Sequence, residues 1–187
     1  MIPLFIGLHA TNLLVLIGVF TLGLLLPDAD LSGMNMRSYH MLAGIFAGLF
    51  CTLAHMATFT YFMATTKWLG AATDKGNLNP KHFVIPAQSQ KSRAFMTCLL
   101  AVGITMATMF AGAAADTAVE QGAAATWHLL LATAAVATNF ICAGSQFRYI
   151  QHRGKLMDQA LTILNDQPTP VDEPANFDGH HAVWSRV

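Results

Sequence analysis

Residues 38–62 read SYHMLAGIFAGLFCTLAHMATFTYF, an apolar run with no charged side chain that two histidines interrupt. As a helix it rises about 1.5 Å per residue, enough to cross the ~30 Å hydrocarbon core of a bilayer. His40 and His55 are fifteen residues apart. That spacing is about 22 Å of rise and about 60° of rotation, so both can face one bundle interior. Between them Gly44, Gly48, Cys51 and Thr52 trace a stripe of small residues, which lets a neighbouring helix approach closely or leaves room for a flat ring.

Three further runs have the same character, at about Pro3–Leu26, Ala94–Ala115 and Thr126–Phe147. The whole chain is 54% hydrophobic and 11% charged, against about 25% charge in an ordinary soluble domain. A backbone in lipid must satisfy its own hydrogen bonds, so these runs are read as helices. The fold class is therefore an all-α integral membrane four-helix bundle. Residues 1–26 hold no Lys or Arg and end in Leu-Leu-Leu-Pro, which reads as a retained membrane helix rather than a cleaved leader. The three cysteines, Cys51, Cys98 and Cys142, form no CxxC or CxxCH pair, so neither a thiolate zinc site nor covalent haem attachment is expected. Zero formal net charge gives no sign of a nucleic-acid partner.

The connecting segments divide by charge. Lys67, Lys75, Lys81, Lys91, Arg93, Arg148, Arg153, Lys155 and Arg186 fall on one side of the threaded bundle. The other side has only Arg37, beside Asp28, Asp30, Asp116 and Glu120. The basic side is expected to be cytoplasmic, with both termini there, in a multi-pass protein of the cell inner (plasma) membrane. Residues 1–150 are expected to form the membrane domain. Residues 63–93 read as a polar loop, and 151–187 as a cytoplasmic tail with a short amphipathic helix at about 155–164.

The four intramembrane histidines sort by depth. His9, two turns into the first span, matches His55 near the inner end of the second. His40 and His128 open the second and fourth spans near the outer surface. Ionisable groups within a membrane are costly and usually functional. Two pairs at two depths suit two bis-histidine haem b groups, with His9, His55, His40 and His128 as iron ligands. Gly44 and Gly48 would make room for the macrocycles, and Phe46, Phe50, Met106, Met109 and Phe110 would pack around them. Arg93 and Arg148 on the inner side and Arg37 on the outer would meet the propionates. Asn12, Thr11, Thr52, Thr58, Thr126 and Asn139 are candidates to tune the sites. Tyr61, Trp68, Lys67 and His82 make the inner interface the better place for a quinone, a further candidate ligand.

In architecture the chain resembles the small dihaem cytochrome b membrane subunits that anchor formate dehydrogenases, respiratory hydrogenases and nitrate reductase. In that group one helix often supplies a histidine to each haem. Here the second span would do so, whereas in the formate dehydrogenase anchor a later helix does. The resemblance implies a membrane cytochrome b subunit that carries electrons between quinone and a partner redox protein. It would be an electron-transfer module of an oxidoreductase complex, not a complete enzyme. Two other readings use the same residues: a non-redox accessory subunit packed in a larger membrane complex, and a metal or proton carrier. The absence of Asp and Glu from the four spans weighs against an acid-lined ion path.

Overall fold

A computed structural model describes residues 2–25, 36–117 and 121–166. Asp28, Asp30, the Met34-Asn35 step, Glu120 and residues 167–187, with Phe177, His180, His181, Trp184 and Arg186, lie outside the described residues. The described chain is all helix and turn. Helix α1 is Ile2–Leu24, α2 is Met36–Lys75, α3 is Pro80–Thr117 and α4 is Gln121–Asp166. All four are long and apolar enough to cross a membrane.

Cross-helix contacts set the topology. Phe5 packs against Tyr61, His9 meets Thr58, and Gly23 lies against His40, so α1 and α2 are antiparallel. Gln90 meets Arg153, Thr97 meets Gln146, and Thr108 meets His128, so α3 and α4 are antiparallel as well. The result is an up-down-up-down bundle in which α1 packs mainly against α2 and α4.

The polarity of this bundle is inverted relative to a soluble one. Leu4, Leu14, Leu42, Phe110, Phe140 and Ile141 are exposed. Asn12, His55, Thr58, Asn139 and Gln146 are buried to within 1%. Such an arrangement costs free energy in water and is favourable in lipid, where the exterior need not be polar and the interior must satisfy every polar atom it holds. Threonine is accommodated locally. The hydroxyls of Thr52, Thr58, Thr65, Thr66, Thr105, Thr108 and Thr133 each donate to the carbonyl four residues earlier on the same helix.

The helices outrun the membrane. The 40 residues of α2 and 46 of α4 correspond to about 60 and 69 Å of rise, twice the hydrocarbon thickness. The stretch 63–93, expected as a loop, is helical except for a tight reversal at 76–79. Asn77 adopts φ 47° there, a left-handed conformation that Asn tolerates at a helix end. Asn79 Oδ1 accepts the Lys81 N–H at 3.0 Å, capping α3, and Pro80 takes the first helical position. The short helix expected at 155–164 is the uninterrupted continuation of α4. These extensions of α2, α3 and α4 have their own apolar core of Leu69, Leu78, Phe83, Ala87, Leu156 and Ala160, flanked by Trp68 and Met157.

Because Leu69 is fully buried in that core, Leu69→Ala should lower stability by about 2–5 kcal/mol. Thermal unfolding in detergent, followed by circular dichroism, reads this as a clear fall in midpoint. An unchanged midpoint would mean that the extension contributes nothing to the cooperative unit.

Candidate functional site

One stripe of α4 organises the interior. Ala135, Asn139, Cys142, Gln146, Ile150 and Arg153 recur at helical spacing and are all buried.

Asn139 is the hub. Its Oδ1 accepts from Asn12 Nδ2 at 3.2 Å, from Cys51 Sγ at 3.3 Å and from His55 Nε2 at 3.1 Å. Its Nδ2 donates to Thr105 Oγ1 at 3.0 Å and to the Ala135 carbonyl at 2.9 Å. One side chain thus ties all four helices together. An amide oxygen only accepts, so His55 Nε2 carries the proton. The other ring nitrogen of His55, Nδ1, then accepts from Gln146 Nε2 at 3.1 Å. Gln146 also reaches Thr97 Oγ1 and Cys98 Sγ.

His9 completes this layer. Its ring centroid is 5.2 Å from that of His55, and its Nε2 is 2.9 Å from Thr58 Oγ1. The Thr58 hydroxyl proton goes to the Ala54 carbonyl, so His9 Nε2 is the donor and Nδ1 the bare acceptor. His9 Nδ1, Asn12 Oδ1 and Gln146 Oε1 are buried without a protein partner.

His40 and His128 form the second pair, with ring centroids 6.2 Å apart and planes nearly perpendicular. His128 Nδ1 donates to the Thr108 carbonyl at 3.1 Å, and His40 Nδ1 is buried without a partner. Each ring is seated on a glycine of another helix. A Cβ on Gly23 would lie 2.8 Å from His40 Cε1, and one on Gly112 would lie 2.9 Å from His128 Cε1. Between this pair and the Asn139 hub is a cavity of about 80 Å³, lined by His40, His128, Thr105, Thr108, Gly44 and Met109 among others.

The depth pairing read from the sequence is therefore present: His9 meets His55 and His40 meets His128. The cofactor expectation is corrected. Among the described residues no group of three or more His, Cys, Asp or Glu side chains converges to hold a metal ion. The chemistry of the inner pair agrees, because both ring nitrogens of His55 are already committed, one as donor to Asn139 and one as acceptor from Gln146. Two haem b groups are not supported, and neither is the quinone assigned with them. Depth matching finds imidazoles that meet, but it cannot distinguish a shared ligand from a hydrogen-bonded layer.

The other expected site residues separate. Gly44 lines the cavity, whereas Gly48 is pressed against the Met109 side chain. Arg37, Arg93 and Arg148 lie exposed on the helix surfaces. Phe110 points outward, and Phe46 stacks on Phe50 with ring centroids 6.1 Å apart. Of the proposed tuning residues, Asn12, Thr58 and Asn139 join the lattice, while Thr11 and Thr126 are exposed. Gln146, Thr105, Gly23 and Gly112 are not among the expected site residues, and Arg153, expected as a charge of the basic face, is fully buried. Gln146 and Arg153 continue the Asn139 stripe at intervals of seven, a signal that was present in α4.

Removing the hub should be costly. Asn139→Leu strands the donors of Asn12 and His55, at about 1–3 kcal/mol for each buried group left unpaired. Paired with His55→Leu, the double variant should lose less stability than the sum of the singles, by about 0.5–3 kcal/mol. Additive losses in detergent unfolding would show that the two side chains are not coupled.

The architecture fits a membrane four-helix bundle that can mediate transport across a bilayer. No protein-family model, curated protein or solved structure matches the chain, so the likeness to a membrane-embedded helical subunit rests on the bundle itself and not on a specific cytochrome b family.

Proposed function

We propose that this chain is a multi-pass protein of the cell inner membrane, basic end toward the cytoplasm, that moves protons across the bilayer through its two histidine pairs. The observation that carries the reading is the presence of polar groups at two depths, the His40–His128 pair beside Thr108 and the Asn139, His55 and Gln146 layer beside Thr105, on either side of a cavity whose wall is mostly apolar. Polar groups in a membrane interior are expensive, and two sets of them at two depths with a cavity between favour a path over simple packing.

Neutral imidazole suits the task because it takes a proton on one nitrogen and releases one from the other. His55 can accommodate a second proton. Rotating the Gln146 amide would present its unpartnered Oε1 to His55 Nδ1–H, while Nε2–H keeps Asn139 Oδ1. The cavity below the other pair has the volume for several waters, at roughly 10–15 Å³ for each, and although its wall is mostly apolar, His40, His128, Thr105 and Thr108 offer polar groups along it. These waters and the hydroxyls of Thr105 and Thr108 would carry the proton between levels. His9 Nδ1 offers a further bare acceptor.

The test is proton uptake into liposomes that hold the purified full chain and a trapped pH dye, driven by a potassium diffusion potential. Uptake should exceed that of protein-free vesicles and fall at least tenfold in His55→Leu and in His128→Leu. His55→Gln, which keeps hydrogen bonding but cannot shuttle a proton, should fall equally. Uptake indifferent to all three changes would overturn the reading and leave the accessory-subunit role. A purified chain bearing a coloured redox group would overturn it in favour of electron transfer to a partner redox subunit.

A further inference from the structure

The proposed polar seam through these two layers stops abruptly toward the basic end. One turn beyond Gln146 lies a layer made of Phe5, Phe62, Ala94 and Ile150, in which Phe62 and Ala94 have no exposed surface and Ile150 only 1%. Tyr61 seals its edge, with ring centroids 5.0 Å from Phe5 and 5.5 Å from Phe62. The buried members of this layer are all apolar, Tyr61 and Tyr149 pack at its edge, and among the described residues no side-chain hydrogen bond joins it to Gln146.

The next layer holds Arg153, which is fully buried. It lies seven residues beyond Gln146, about 10 Å along the same face of α4. Its Nε donates to Gln90 Oε1 at 3.1 Å, Nη1 to Thr66 Oγ1 at 3.0 Å, and Nη2 to the Ala87 carbonyl. All three acceptors are neutral. The guanidinium also sits 5.3 Å from the centre of the Phe62 ring, within cation–π range. A guanidinium stays charged under all ordinary conditions. Here its positive charge stands at the mouth of the seam with no anionic acceptor among these bonds, and it raises the energy of any second cation that approaches.

Resting on the proton-path reading, we infer that the basic end of the seam is gated: the dry Phe62 layer breaks the path, and the buried Arg153 charge behind it repels protons arriving from that side. The two parts are mechanically joined, because Arg153 holds α2 through Thr66 and α3 through Gln90 and Ala87 while resting on Phe62. Opening requires Phe62 to move, and Phe62 is held in place by Arg153. An apolar constriction next to a fixed positive charge is a general means of stopping ions and protons in a pore.

The test uses the same full-chain liposomes. Phe62→Ala should raise proton uptake at least tenfold over the unaltered chain. Phe62→Leu, which keeps the layer apolar and nearly filled, should stay within about twofold of it. Ile150→Ala opens the same layer from α4 and serves if Phe62→Ala fails to fold. The rise must disappear in Phe62→Ala/His55→Leu. Folded, monodisperse Phe62→Ala and Ile150→Ala proteins with unaltered uptake would overturn the gate, while His55-dependent uptake by the parent chain would keep the path itself. A rise that survives His55→Leu would also overturn it, since the leak would then bypass the seam. If no variant differs from empty vesicles, path and gate fall together.

Discussion

The interior depends on one amide. In a bilayer no water is at hand for a polar group that loses its partner, so an intramembrane polar residue is either satisfied by its neighbours or destabilises the bundle. Asn139 resolves this for four helices at once by accepting from α1 and twice from α2 and donating to α3. Apolar packing between lipid-exposed helices offers little directional preference, since a leucine is as comfortable against lipid as against another leucine. The bonds to this hub therefore constrain the rotational setting of each helix, together with the His9–Thr58, Gln146–Thr97 and Arg153 bonds. The Arg153 bonds, the core around Leu69 and the seats of His40 and His128 on Gly23 and Gly112 fix the layers on either side of it.

The spans were legible because their signal is compositional. A run of some twenty apolar residues needs no partner to be recognised, and the near absence of charge leaves little alternative. The helix extensions were less legible for the same reason. Residues 63–93 carry enough Lys, Asp, Asn and Gln to look like a surface loop, yet Leu69, Phe83 and Ala87 supply a buried face at helical spacing, and the amphipathic helix read at 155–164 turns its Leu156 and Ala160 to the same core as a continuation of α4. In those segments amphipathic periodicity outweighs average polarity. The Asn79-Pro80 step, read as loop punctuation, is instead the cap and first turn of α3.

The site was half legible. The levels at which His9, His55, His40 and His128 lie follow from arithmetic along each helix, and both pairings are present. What occupies the space between two imidazoles does not follow from their depth. It turns on the donors and acceptors that surround each ring, and these come from residues far away in sequence: Gln146 for His55, Thr58 for His9, Thr108 for His128. Gly23 and Gly112 illustrate the same limit. Neither position calls for unusual backbone freedom, and their role is to leave space for a ring on another helix. Nothing local marks a glycine used in that way.

The two pairs differ in a manner that bears on direction. His55 is held at both nitrogens, so it changes protonation only if Gln146 also rearranges. His128 is held at one nitrogen by the Thr108 carbonyl, His40 is bonded to the Val19 backbone while its Nδ1 has no partner, and both rings open onto the cavity. Exchange between the His40–His128 pair and the cavity therefore disturbs fewer bonds than exchange at His55. Beyond His55 the dry layer and Arg153 add a further barrier. Resistance thus rises in steps from one end of the seam to the other, from an accessible pair through a locked pair to a closed end. On the proposed proton path, this grading would let protons enter from the His40–His128 side and leave toward the basic side only when the last layer parts. The asymmetry arises from the contents of successive turns of α4, where Ala135 borders the cavity, Asn139 and Gln146 fix His55, and Ile150 and Arg153 close the far end.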